Sequence, residues 1–430
     1  MPALASDPRA LTVLAISLDA QIADATGAGS PGSSSRQGGG VLGDPVERQR
    51  RYAEHLGALH VVVKTGRGTP AGPLPLAPNA WAYPSRSISR YTFIPDAVRI
   101  AARLCRAGPS LSGGRPGGIA FQPAGIDVIS AQDPFATGLA AYAVSRRYGT
   151  PLNVQVHFDV LDNPFWLAER REHRPLNVLG KWLLRQASTV RVGTTRERTK
   201  LAGWGIPRER IFLAPVPVDL ERFRDARPDP RLRDGLAEGA SVVLAAQRLV
   251  PQKDVPTLLR AAVEVTRSRP GTRFVIAGDG ALRPSLERLT SELGLGDAVR
   301  FLGRVDRREM PGLYAGADVL AVSSVYEGTS LVAVEAAAAG KPVVTTDVAG
   351  AADTVVDGVS GHVVPVQNSP ALAAGLLDVL GDAARAGAMG AAGRAHAGTR
   401  FTLDRAVSDV ISMWQATAEW RATTGARCRR

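Results

Sequence analysis

The stretch Tyr326-Glu-Gly-Thr-Ser-Leu-Val-Ala-Val-Glu-Ala-Ala-Ala-Ala-Gly-Lys-Pro-Val-Val344 decides how this chain is read. It follows the apolar run Val319–Val322, passes through a short loop and becomes an Ala/Leu/Val helix. It stops at Gly340 with Pro342 beyond, and re-enters an apolar run, which is the pattern strand, loop, helix, strand. Glu327 falls in the loop, and Glu335 lies six residues past Thr329, ~9 Å along the axis from the helix start. The unsatisfied N–H groups and partial positive charge of that start suit a diphosphate, with Thr329 and Ser330 adding hydroxyl donors. Glu335 is then placed to accept from a ribose diol, and Glu327 to bond sugar hydroxyls. On these residues alone, an acid stabilising a helix start plus an ordinary helical Glu explains the pattern equally well.

Working outward, apolar β-rich runs alternate with helical patterns along the whole chain, the signature of βαβ units and parallel sheets. The clearest runs in the first half are Val13–Ser17, His60–Lys64, Asp127–Ser130, Asn153–His157 and Val190–Val192. In the second half they are Val242–Ala245, Arg273–Ala277, Val299–Leu302, Val319–Val322 and Pro342–Thr345. About five strands per half suffice for two doubly wound sheets. Ala214–Phe223 and the Pro-, Asp-, Arg- and Gly-dense segment Arg224–Gly239 read as hinge and linker. A Gly/Ser-rich loop, Gly27–Gly43, feeds a helix start at Asp44-Pro45-Val46-Glu47, with Asp as cap and Pro at the first helical position. That arrangement fits either an anion or acceptor site or a mobile surface loop. Gly108–Gly118 is a further Gly/Pro-rich loop with no assigned chemistry.

With 430 residues the chain exceeds one compact core, and 45% hydrophobic with 21% charged residues excludes disordered, collagenous and integral-membrane classes. No run of about 18 apolar residues is present, and Leu11–Ser17 reads as a first strand rather than a signal peptide. Two cysteines, Cys105 and Cys428, allow no disulfide framework or Cys-rich zinc site and favour a reducing, cytoplasmic compartment. The net charge of +12 is almost all arginine, since Lys64, Lys181, Lys200, Lys253 and Lys341 are the lysines. These charges are scattered without a recognisable nucleic-acid reading motif, so no nucleic-acid partner is expected. Ala168–Ser188 sets Leu176, Leu179, Trp182 and Leu183 among Arg170, Arg171, Arg174, Lys181 and Arg185. This basic amphipathic pattern suits either peripheral contact with an anionic membrane or a packed helix with a solvated basic face.

The segment Glu-Gly-x-x-Leu-Val-x-x-Glu-Ala-x-Ala-x-Gly-x-Pro-Val-Val, with its Glu-x7-Glu spacing, resembles the signature of the retaining GT-B glycosyltransferases of family 4. The resemblance extends from Val242 to about Val364. Gln247-Arg-Leu-Val-Pro-Gln-Lys-Asp254 is similar to the family's strand-end Arg-Leu-x-x-x-Lys, and Ile276-Ala-Gly-Asp-Gly280 to its Gly-x-Gly turn. Arg300-Phe-Leu-Gly-Arg-Val305 resembles the loop that meets the base, and Leu313–Asp318 the helix before the acidic loop. More weakly, Asn153-Val-Gln-Val-His157-Phe-Asp159 puts a histidine where the family places one near the donor sugar, and Ser130–Phe135 resembles a turn shaping the cleft. Gln247 stands where the family often has Gly, Pro217 in the usual Asn-Gly-Val-Asp linker, and Thr329-Ser330 where Phe-Gly is common.

The resemblance implies an α/β GT-B fold, two Rossmann-like doubly wound domains facing a cleft. An acceptor-side domain would span 1–215, a nucleotide-sugar domain 216–400, and residues 401–430 a helix crossing back, its apolar side formed by Ala406, Val407, Val410, Ile411 and Trp414. Residues Gly425–Arg430 read as a frayed tail. The catalytic candidates are His157, Arg248, Lys253 and Glu327, with Arg248, Lys253 and the helix at Thr329 stabilising a departing phosphate. Donor binding would fall to Gly278, Gly280, Arg304, Val305, Thr329, Ser330, Leu331 and Glu335. No Asp-x-Asp is present, and no metal or cofactor is expected, the nucleotide sugar being a substrate. The implied reaction moves a hexosyl unit from a UDP- or GDP-sugar to a glycan or lipid-linked acceptor in envelope or exopolysaccharide synthesis. A nucleotide-sugar epimerase or hydrolase and a non-catalytic nucleotide-sugar-binding protein are the rival readings.

Overall fold

The computed structural model describes residues 11–24, 45–70, 72–106, 125–237 and 239–425. The loops 27–43 and 108–118, the Asp44 cap and the tail after residue 425 lie outside these. The first sheet has eight strands: β1 Thr12–Ser17, β2 Ala58–Val63, β3 Leu74–Ala77, β4 Ala80–Pro84, β5 Val128–Ala131, β6 Leu152–Val156, β7 Thr189–Val192 and β8 Ile211–Leu213. Their order is β3-β4-β2-β1-β5-β6-β7-β8, parallel throughout except for β3, which pairs antiparallel with β4. The second sheet is wholly parallel, with β9 Val242–Ala246, β10 Arg273–Ala277, β11 Val299–Gly303, β12 Val319–Val322, β13 Val343–Thr346 and β14 Gly361–Val364 in the order β11-β10-β9-β12-β13-β14.

Strands β3, β4, β8 and β14 go beyond the expected five per half. Pro75 and Pro84 obscure the first two, because proline donates nothing to a ladder; β3 tolerates it as an edge strand. Asn79 closes the turn between them, its Nδ2 donating to the carbonyls of Ala53 and Leu56, each at 2.9 Å. Strand β8 is only three residues long and β14 only four, too short to show a period.

Each sheet is covered on both faces, so its central strands are continuously apolar and buried, as Val242–Ala246 is. The sheet order reverses between β9 and β12 in one half and between β1 and β5 in the other, and ligands of open α/β sheets bind beyond the strand ends at such reversals. The helix Leu403–Gly425 packs back on the first sheet, seating Val407, Val410, Ile411, Met413 and Trp414 among Val13, Tyr52 and Val61. The helix expected at Thr329 starts two residues later, at Leu331, because Ser330 takes the extended cap conformation. Segment Ala168–Ser188 contributes the helix His173–Gln186, which buries Leu183 and Leu184; Val178 stays exposed, and Trp182 meets Tyr142 edge-on.

Candidate active site

The reversal between β9 and β12 brings two loops together. From β9 come Gln247 and Arg248, then a single 3-10 turn, Pro251–Lys253. From β12 come Ser323, Ser324, Tyr326 and Glu327. Lys253 Nζ pairs with Glu327 Oε1, and both side chains are nearly buried, at 12% and 7% exposure. Ser324 Oγ donates to the same oxygen at 2.5 Å. Gln252 ties the loops by donating from Nε2 to the Tyr326 carbonyl at 2.9 Å, and Ser323 Oγ donates to the Lys253 carbonyl at 2.8 Å. Arg248, exposed at the strand end, reaches Gln252 Oε1 at 3.4 Å. A buried ion pair survives only with its remaining hydrogen bonds supplied, which Ser324 does here.

Beyond Glu327, Gly328 lies so close to the first domain that a Cβ there would overlap the carbonyl oxygen of His157. Thr329 turns its hydroxyl to the Gly193 carbonyl across the cleft, at 3.3 Å, rather than into the helix axis. Ser330 Oγ is buried without a partner at the start of the helix Leu331–Ala338, and Leu331 is buried beside it. Tyr314, on the helix Met310–Gly316, donates to Glu335 Oε2 at 2.7 Å. Burial raises the Glu335 carboxyl pKa, while that hydrogen bond, Arg307 and Arg222 act in the opposite direction. Gly278 and Gly280 let the β10 loop lie on the β9 loop: a Cβ on either would strike backbone of Gln247 or Leu249, and Gly278 has φ 146°. Arg304, exposed, and Val305, half-buried, follow β11, two strands out from β9.

The first domain meets this loop with the end of β6. His157 touches Gly328 through its main chain, while its ring lines a small polar cavity inside the first domain. Burial first, then Arg191 and Arg48, hold its imidazole well below the usual histidine range, so the ring is neutral. Trp166 packs on Val325 and Tyr326, and Tyr326 donates its hydroxyl to Glu169 Oε1 at 2.7 Å. Asp353 accepts from Thr195 N at 2.8 Å and from Thr195 Oγ1 and Arg400 Nη2, both at 2.7 Å. Arg196 pairs with Asp347 at 2.5 Å. Behind Thr195, Thr194 and Glu197 form a reciprocal capping box, and burial pushes the Glu197 carboxyl up to about 8. In the Ser130–Phe135 turn, Asp133 accepts from Phe135 N at 2.7 Å and from Thr137 Oγ1 at 2.9 Å, fixing the turn into the next helix, and Phe135 stacks on Trp166.

Geometry thus gathers Arg248, Lys253, Glu327, Thr329, Ser330 and His157 at the cleft, with Glu335 one turn behind and Arg304 and Val305 off to the side. Sequence reasoning missed Gln252, Ser324, Tyr314 and Gly328. Only Gly328 carried a local signal, as a glycine between Glu327 and a helix start. Among the described residues no group of three or more His, Cys, Asp or Glu side chains is arranged to hold a metal ion.

Residues 229–396 match the family model described as glycosyl transferases group 1, and residues 44–217 match the glycosyl transferase 4-like domain. The chain is 37% identical over 207 residues to a GDP-mannose-dependent alpha-(1-6)-phosphatidylinositol monomannoside mannosyltransferase of Mycolicibacterium smegmatis. That match covers 46% of the chain and spans only about half, 54%, of the relative. It is 31% identical over 319 residues to a D-inositol 3-phosphate glycosyltransferase of Geodermatophilus obscurus, covering 71% of the chain and 70% of the relative. Among solved structures, sucrose-phosphate synthase from Thermosynechococcus elongatus superposes with a TM-score of 0.73 at 21% identity, covering 93% of this chain and 97% of that one. Anabaena HepE in complex with UDP superposes with a TM-score of 0.67 at 19% identity, covering 93% and 98%. With both halves matched in order and a relative of this identity covered over two thirds of its length, the chain belongs to the GT-B glycosyltransferases of the family 4 type.

Proposed function

We propose that the protein transfers a hexosyl unit from a UDP- or GDP-sugar to a hydroxyl of a glycan or lipid-linked acceptor, with retention at the anomeric carbon. One observation supports this reading above the others. At the reversal of the second sheet an exposed Arg248 stands beside the Lys253–Glu327 pair and a helix start whose Ser330 hydroxyl is buried and unpartnered. That is a donor-rich, positively biased end suited to a nucleotide diphosphate.

In this reading Arg248 and the Leu331 helix start take the charge that develops on the departing diphosphate. Lys253, already neutralised by Glu327, orients that carboxylate toward the sugar hydroxyls as much as it meets phosphate. The bond from the anomeric carbon to the phosphate oxygen breaks as the acceptor oxygen bonds on the same face. The acceptor proton passes to the leaving phosphate. Glu335, fixed by Tyr314, receives the ribose diol. A neutral His157 neither repels nor attracts the leaving charge, and supports the acceptor side. Protein cations replace a metal in this scheme. The names of relatives acting on phosphatidylinositol monomannoside and inositol phosphate make a membrane-lipid or polyol acceptor in envelope synthesis the natural class to test, with the basic helix His173–Gln186 resting on the cytoplasmic membrane face.

Calorimetric titration with UDP and GDP in EDTA, in parallel with Glu335→Gln, tests the donor assignment. Tight binding of one nucleotide, weakened by the substitution, is the expected result; no binding with or without Mg²⁺ overturns it. Release of free sugar or an epimer without acceptor would favour the hydrolase or epimerase reading.

A further inference from the structure

The linker between the two sheets ends in a single helical turn, Glu221–Arg224, and that turn leans on the donor side of the cleft. Just before it, Val218 N donates to the Phe401 carbonyl at 3.0 Å, tying together the two stretches of chain that pass between the domains. The turn then packs on the helices Met310–Gly316 and Leu331–Ala338, which carry Tyr314 and Glu335. Phe223 is buried and meets the Tyr314 ring edge-on, with 5.7 Å between centres. Its neighbour Arg222 donates from Nη2 to the Arg307 carbonyl at 2.6 Å, in the loop that follows β11 and also carries Arg304 and Val305.

Other arginines in this part of the chain have acids of their own. Arg224 pairs with Glu221 at 2.8 Å, Arg231 with Asp229 at 2.6 Å and Glu309 at 2.7 Å, and Arg233 with Asp318 at 2.7 Å. Arg222 and Arg307 differ: both are half-buried, and among the described residues neither has a carboxylate within ion-pair distance. The acid that feels both is Glu335. Burial pushes its carboxyl toward the neutral form, and the Tyr314 hydroxyl, Arg307 and Arg222 oppose that. The opposition matters chemically, because an ionised carboxylate only accepts hydrogen bonds, whereas a protonated one presents a hydroxyl donor. Tyr314 engages Oε2, so among the described residues Oε1 is left to accept from a ligand.

We propose that Arg222 is a positioning residue for the donor: from the turn where the interdomain linker ends, it holds the Arg307 loop and Glu335 in the arrangement that receives the nucleotide's ribose hydroxyls. This rests on the transferase reading, in which Glu335 takes that diol. Arg222 acts through Glu335 and the Arg307 carbonyl and needs no contact with the nucleotide itself.

The test measures by calorimetry the binding of UDP, GDP and their 2′-deoxy forms to the full chain, to Arg222→Gln, Arg222→Lys and Glu335→Gln, and to the double substitution Arg222→Gln with Glu335→Gln. The parent is expected to prefer one ribonucleotide over its 2′-deoxy form. Arg222→Gln should weaken that ribonucleotide at least about threefold and the deoxy form less, so the preference narrows. Arg222→Lys, which keeps the charge and a donor, should retain most of it. Once Glu335→Gln is present, Arg222→Gln should add little. A purely structural role would weaken both forms equally and add in full to Glu335→Gln; either result, or an unchanged preference in Arg222→Gln, overturns the proposal while nucleotide binding by the parent leaves the transferase reading standing. A parent that binds neither nucleotide overturns that reading and this proposal together.

Discussion

Tyr314 and Glu335 sit on consecutive helices that flank β12, and the phenol donates to the carboxylate at 2.7 Å, the contact that points this acid. Tyr314→Phe would leave a desolvated carboxyl short of its donor, at a stability cost of about 1–3 kcal/mol. Nucleotide affinity is expected to fall about tenfold, and adding Tyr314→Phe to Glu335→Gln to cost little more than Glu335→Gln alone. Calorimetry on the two singles and the double decides it; unchanged affinity in Tyr314→Phe means that something else positions Glu335.

Lys253 and Glu327 are expected to behave as a unit. Removing one partner strands a buried charge, so Lys253→Ala and Glu327→Gln should each destabilise the fold, the first by about 3–5 kcal/mol. The double substitution Lys253→Met with Glu327→Gln should recover much of the melting temperature yet none of the activity. Recovery of turnover in the double would show that neither charge takes part in the reaction.

Gly328 should report on closure. A Cβ at this position meets His157 backbone, which no side-chain rotation can relieve, so Gly328→Ala is expected to hold the two domains apart. The melting temperature should change little, kcat should drop at least about tenfold, and the radius of gyration in solution should rise. A variant as compact and active as the parent would contradict this.

Glu197 gives a pH dependence with a definite sign. Its carboxyl lies near 8 in the folded protein and near 4.5 unfolded, so between those values the native state binds the extra proton. Its contribution is complete below about 4.5 and drains away as pH rises toward about 8. Thermal denaturation should therefore show a decline over this window that Glu197→Gln, which preserves the capping box, flattens. Parallel pH curves for the two proteins would assign the decline elsewhere.

How much of this was legible beforehand follows from range. The passage from Val319 to Val344 declares its strand, loop and helix because those depend on neighbours within a few residues, and Glu327 falls in the loop as that reading sets it, while Thr329 and Ser330 lie just ahead of the helix. What Glu327 touches was not legible: Lys253 is 74 positions away, and only the sheet reversal joins them. The bond from Thr329 to the Gly193 carbonyl across the cleft is not legible either, because nothing local reveals that partner. Strands β3 and β4 hid behind their prolines, and the burial of Arg191 was invisible since a single arginine in an apolar run looks like surface charge.

The helix Leu403–Gly425 completes the core of a sheet whose first strand begins at Thr12. During synthesis the part of its face formed by β5, β6, β7 and β8 therefore leaves the ribosome without its cover, which arrives with Trp414 about 200 residues after Leu213, while the early helix Pro45–Ala53 already covers β2. The second sheet, β9 to β14, has every strand in hand once Val364 is made. The usual order of domains maturing from the N-terminus inverts here: the later half can settle first, and the earlier half waits on a helix made after every strand of the second sheet.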